Sequence, residues 1–61
     1  MTPFYIIDSD GKICPVATCF DKDGNETLDE SKIETAVYCN PNRGMHPWVA
    51  VRNPRNLHRR H

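Results

Sequence analysis

Asp29-Glu30-Ser31-Lys32-Ile33-Glu34-Thr35-Ala36-Val37-Tyr38-Cys39 decides the fold of this 61-residue chain, because it carries two periods at once. Ser31 and Glu34 stand three apart, as in a capping box, and Ile33, Ala36 and Val37 share one helical face. Against that, Ile33, Thr35, Val37 and Cys39 alternate at period two, and their β-branched members are stiff in a way that favours strands. The alternation wins from Glu34 onward. The stretch therefore reads as a helical turn near 29–32 followed by a strand over about 34–39. A helix over about 30–38, packed on a sheet, is the α+β alternative.

Turn signals upstream and downstream agree with the strand reading. Phe4-Tyr-Ile-Ile7 is a β-favouring run, and Asp8-Ser-Asp-Gly11 turns it toward Lys12-Ile-Cys14. Asp-Gly is a strong hairpin dipeptide because glycine accepts the positive φ of a tight turn. Pro15 has no backbone donor, so a break, a bulge or a sheet edge is expected there. Val16 to Phe20 resumes the extended pattern, and Asp21-Lys-Asp-Gly-Asn25 is a second turn of the same kind. Asn40-Pro-Asn-Arg-Gly44 is a loop, and Trp48-Val-Ala-Val51 is the last strand, ended by Asn53-Pro54. The expected fold is thus small and all-β or β-rich: an antiparallel meander of three to four strands with one helical turn. Residues 1–54 form a single domain, and 55–61 read as a basic, flexible tail with too few apolar groups to pack.

Composition narrows the class further. A chain this short buries only about 60% of its unfolded surface, so its stability margin is thin. Five aromatics (Phe4, Tyr5, Phe20, Tyr38 and Trp48) set within apolar runs nevertheless argue for a folded chain. The start has no basic region before its apolar run, and nothing approaches the roughly 20 apolar residues of a membrane span. A cytoplasmic chain without membrane contact is the expectation. Three cysteines in such a chain are reduced thiols rather than a disulfide framework.

Several residue sets carry recognisable chemistry. Asp21, Asp23, Asn25, Thr27 and Asp29 resemble the opening ligands of an EF-hand calcium loop. The match then fails: Glu26 stands where a sharp turn needs glycine, and Lys32 where a bidentate glutamate belongs. Cys14, Cys19, Cys39 and His46 can be assembled on paper into a tetrahedral zinc site, although paired C-x2-C knuckles are absent. The alternative for the cysteines is burial as small hydrophobes. Isolated glycines exclude a phosphate loop or a dinucleotide fingerprint. No group orients His46 toward Cys39 as a catalytic base, so a non-enzymatic protein is predicted.

Charge supplies the pointer to function. Residues 1–34 hold all eight carboxylates against three lysines, a net of −5, while residues 35–61 hold five arginines and no acid, a net of +5. A formal charge of zero hides this split. The arginine fork suits phosphate or carboxylate, and aromatics nearby suit stacking on bases. The predicted function is a small interaction protein that binds nucleic acid or an acidic surface through Arg43, Trp48, Arg52, Arg55, Arg59 and Arg60, with Tyr38 as a second stacking candidate. Alternatives are a protein–protein regulator or inhibitor anchored by Trp48, and a small zinc-stabilised module without other cofactors. Oligomeric state is left open by the sequence.

Overall fold

The computed structural model describes residues 2–60. Its strands are β1 (Phe4–Ile7), β2 (Ile13–Phe20), β3 (Thr35–Cys39), β4 (Trp48–Arg52) and β5 (Leu57–Arg59), with single 3-10 turns at Glu30–Lys32 and Pro41–Arg43. They form one antiparallel sheet in the order β4-β3-β2-β1-β5. The fold is β-rich as expected, with five strands where three or four were anticipated.

The deciding stretch resolves through its hydrogen bonds. Asp29 accepts the backbone N–H of Ser31 at 3.1 Å and the Ser31 hydroxyl at 2.7 Å. The capping box with Glu34 does not form, because the N–H that Ser31 would accept is given to another strand. The Glu34 N–H donates instead to the Phe20 carbonyl at 2.8 Å, and Ile33 is already extended at ψ 123°. One helical turn therefore gives way to β3, and the α+β alternative is overturned.

The two Asp-Gly turns are built alike. The Gly11 N–H donates to the Asp8 carbonyl and the Asp8 N–H to the Lys12 carbonyl, both at 3.0 Å. Gly24 and Asp21 repeat this with Asn25 at 3.1 and 2.8 Å. This is a type I turn followed by a left-handed residue, and Gly11 (φ 78°) and Gly24 (φ 83°) fill that position. Each turn is locked by its leading aspartate. Asp8 Oδ1 accepts the N–H groups of Asp10 and Lys12, and Asp21 Oδ1 those of Asp23 and Asn25.

Pro15 neither ends β2 nor splits it; the two short runs on either side form one eight-residue strand. Pro15 pairs with Tyr5 of β1, and the β2–β3 register starts only at Val16↔Tyr38. The missing donor is thus placed where β2 has a partner on one side. The irregularity falls between Val16 and Thr18, where Ala17 is the extra residue. It shifts the buried parity from Cys14 and Val16 to Cys19, and it bends the strand.

That bend lets the sheet curl while β4 and β5 remain its two edges. Five chain steps separate Arg52 from Leu57, a reach of at most about 18 Å. In a flat sheet β4 and β5 would lie about 19 Å apart, four strand spacings. The link is not fully extended either, since Asn53 turns at φ 50°. The sheet must curl, and it does so around Phe4, Ile6, Cys14, Val16, Cys19 and Ala36, all buried. Ile33, Tyr38, Val51 and Leu57 pack against that core.

The expected flexible tail is corrected over Leu57–Arg59. Leu57 pairs with Ile6, the Asn56 amide donates to the Ile7 carbonyl at 3.0 Å, and the Arg60 N–H donates to the Pro3 carbonyl at 2.7 Å. A segment with one aliphatic residue is ordered because β1 offers an open edge and Leu57 completes the inner face. His61 lies outside the described residues.

Candidate nucleic-acid interface on the outer sheet face

Alternation along each strand separates an inner from an outer face. Phe4 and Ile6 point inward on β1, so Tyr5 and Ile7 point outward; Cys14 and Val16 point inward on β2, so Ile13 and Pro15 point outward. On β3 and β4 the outward set includes Val37, Cys39, Trp48, Ala50 and Arg52. His58 joins it from β5, since it is paired with Tyr5.

Register then lines up an aromatic row across the sheet. Tyr5 is level with His58 on one side and Pro15 on the other. The Tyr5 and His58 rings stack with centroids 5.4 Å apart and planes 20° from parallel. Cys39 is one residue beyond Tyr38, the partner of Val16, and Cys39 itself pairs with Trp48. Trp48 is 61% exposed, and Ile7 and Ile13, paired beside Tyr5, are exposed as well. The large apolar groups outside the core thus gather largely on one face.

None of the five strands contains Asp or Glu. The carboxylates occupy the turns and connections, where backbone N–H groups hold several of them. The N–H of Lys12, with further help from Asp10, holds the Asp8 carboxyl below the usual carboxylate range. The Ser31 hydroxyl and N–H do the same for Asp29. The strands of the outer face thus present an aromatic and aliphatic surface without carboxylates, and the acids stand at its ends, Asp8 after Ile7 and Glu34 beside Arg52.

The arginines divide by role. Arg59 is drawn into the structure: its guanidinium lies 5.1 Å from the centroid of the Phe4 ring, and its Nη2 donates to the Leu28 carbonyl at 3.2 Å. Arg52 is outward on β4, with its Nη2 3.6 Å from Glu34 Oε1 and most of its side chain exposed. Arg60 follows β5 at the parity of His58, and Arg55 and Arg43 are exposed on the loops at either side. Tyr38 faces the core opposite Val16 and is withdrawn from the stacking surface.

The four metal candidates do not converge. Cys14 and Cys19 are both buried in β2 five residues apart, Cys39 is outward on β3, and His46 is exposed in the loop before β4. Among the described residues no group of three His, Cys, Asp or Glu side chains is placed to hold a metal ion. Burial pushes both the Cys14 and the Cys19 thiols up, and the charge of Asp8 adds to this at Cys14. The calcium-like segment is a hairpin turn whose first aspartate is engaged by backbone N–H groups.

The Tyr5–His58 stack is the element that sequence reasoning passed over. Its members are 53 positions apart, and only the return of β5 to β1 joins them. No helix among the described residues is long and apolar enough to cross a membrane. The chain matches no protein family, no curated protein and no solved structure, so its surface is interpreted from its own geometry.

Proposed function

We propose that this chain is a non-enzymatic binder of single-stranded nucleic acid, which it takes across the outer face of its sheet. The carrying observation is the acid-free face on which Tyr5, His58 and Trp48 stand in one cross-strand row. Bases stack on Tyr5–His58 and on Trp48, a contact worth about 1–3 kcal/mol per base and tolerant of sequence. Arg52 and Arg60 lie at the parity of that face, and Arg43 and Arg55 flank it, to meet phosphates. Duplex is disfavoured because its bases are already stacked on one another.

Titration of a mixed-sequence single strand across a salt series tests this reading. Four phosphate contacts predict a log–log slope of about −3 for a single strand. Quenching of Trp48 should track the same isotherm. No binding at low salt, or a flat salt response, overturns the proposal.

A second reading rests on Ile7 and Ile13, 36% and 58% exposed beside Tyr5. Aliphatic groups do not stack on bases, and they suit a protein partner whose rim is acidic. Ile13→Ser distinguishes the two: it weakens a protein contact and leaves nucleic-acid binding within about two-fold.

A further inference from the structure

We propose that the free edge of β4 pairs with β4 of a second copy of this chain, antiparallel about a two-fold axis at Ala50. This goes beyond the nucleic-acid reading and does not rest on it. β3 occupies one edge of β4, and among the described residues no strand occupies the other. Such an edge presents a row of N–H and C=O groups to any strand that fits it, and proteins usually blunt it with lysine, proline or a bulge. β4 contains none of these. Its register with β3 is unbroken over five residues, and Pro47 and Pro54 stand only outside its ends. The opposite edge, β5, has three residues, and two of them are His58 and Arg59.

The sequence Trp48-Val49-Ala50-Val51-Arg52 is complementary to itself when reversed. Pairing centred on Ala50 sets Trp48 opposite the partner's Arg52, Val49 opposite the partner's Val51, and Ala50 opposite its own copy. Directly opposed residues share a face. Trp48 and Arg52 therefore meet on the outer face twice, once at each end, where a guanidinium can lie on the indole. The Arg52 side chain is 80% exposed and held only by the 3.6 Å contact to Glu34, so it is free to turn toward this partner. The valines meet on the inner face, where both are half-buried and Val51 packs against the core, so the dimer continues that core across the axis. Small Ala50 lets the two backbones approach, and no like charges oppose each other. Five residues per copy bury less than the about 1,200 Å² of a stable interface, so the association is weak.

Sedimentation equilibrium of the full chain from roughly 10 μM to 1 mM tests the proposal, a range that covers weak association. The average mass should rise from 7.0 kDa toward twice that value. Ala50→Lys places two ammonium groups opposite each other and should hold the mass at that of the monomer, with an unchanged circular dichroism spectrum. Arg52→Glu, a second exposed change, should weaken the dimer at least several-fold and provides the test should Ala50→Lys fail to fold. A wild-type chain that stays monomeric throughout overturns the proposal. So does a dimer that both folded variants retain.

Discussion

Arg59 lies over the ring of Phe4, its directly opposed neighbour across the β1–β5 ladder, with guanidinium and ring centroid 5.1 Å apart. The same side chain reaches the carbonyl of Leu28, 31 residues back along the chain. It thus fastens the last strand to the first and to the connection before β3. Arg59→Ala should destabilise the fold by about 1–2 kcal/mol, from the lost cation–π contact and hydrogen bond. In a domain of this size that is a drop of roughly 5–15 °C in thermal midpoint. Arg60→Ala removes the same charge without those partners and should leave stability within about 0.5 kcal/mol. Equal midpoints for the two variants would show that Arg59 is only a surface cation.

Removal of residues 56–61 follows from the same relationship. Leu57 closes the inner face beside Ile6, and the β5 ladder satisfies the edge of β1. The truncated chain should lose its cooperative unfolding transition, not merely its affinity. Urea titration followed by Trp48 fluorescence checks this, and a truncated chain as stable as the full one refutes it.

Much of the sheet could be read from the residues because its signals are local. The two Asp-x-Asp-Gly turns, the alternation in Thr35–Cys39 and the Trp48–Val51 run each specify their conformation within a few positions. β5 could not be read that way. Leu57-His58-Arg59 has one aliphatic residue, and it is a strand only because the Ala17 bulge and the short β4–β5 link bring it to β1. The candidate site divides along the same line. Trp48 belongs to a legible strand, which Arg52 extends by one residue, and both point outward. Tyr5 and His58 meet only through long-range register, and Arg59 reaches Phe4 for the same reason.

Acid should loosen the turns. Asp8 and Asp29 are held below the ordinary carboxylate value by N–H and O–H donors. A carboxyl depressed in the folded state contributes stability above its unfolded pKa and loses it as pH falls through the folded one. Thermal midpoints should therefore stay level from about pH 7 to pH 5 and fall below about pH 4. Asp8→Asn with Asp29→Asn keeps an acceptor oxygen in each turn and removes the titration. That variant should melt lower than wild type at pH 7 and show a shallower acid limb. An unchanged acid limb would assign acid sensitivity to other carboxyls.

Thiol labelling reports the burial of β2. Cys14 and Cys19 are buried with raised pKa, whereas Cys39 is partly exposed on the outer face. A neutral alkylating agent at pH 8 should add one adduct quickly, at Cys39, and two more only at the rate of unfolding. Peptide mapping of the first adduct decides it: early modification at Cys19 would contradict the packing around Ala36. Bound single strand should slow labelling of Cys39, because this thiol lies beside Trp48 in the aromatic row.

That row predicts how affinity is distributed over the outer face. Trp48→Ala should cost about ten-fold or more in single-strand affinity, as one lost stacking contact does. Tyr5→Ala removes one half of the Tyr5–His58 pair and should cost a similar factor, while Tyr5→Phe keeps the ring and should bind nearly as wild type. Arg60→Ala and Arg52→Ala should each lower the salt slope by about 0.7, without changing preference among sequences. Arg59→Ala, compared at a temperature where it remains folded, should leave that slope in place because its guanidinium is committed to Phe4 and Leu28. The two arginines next to each other in sequence thus separate the surface that binds from the contact that folds. A slope that falls equally for Arg59 and Arg60 would return the binding site to a diffuse basic segment and away from the outer face of the sheet.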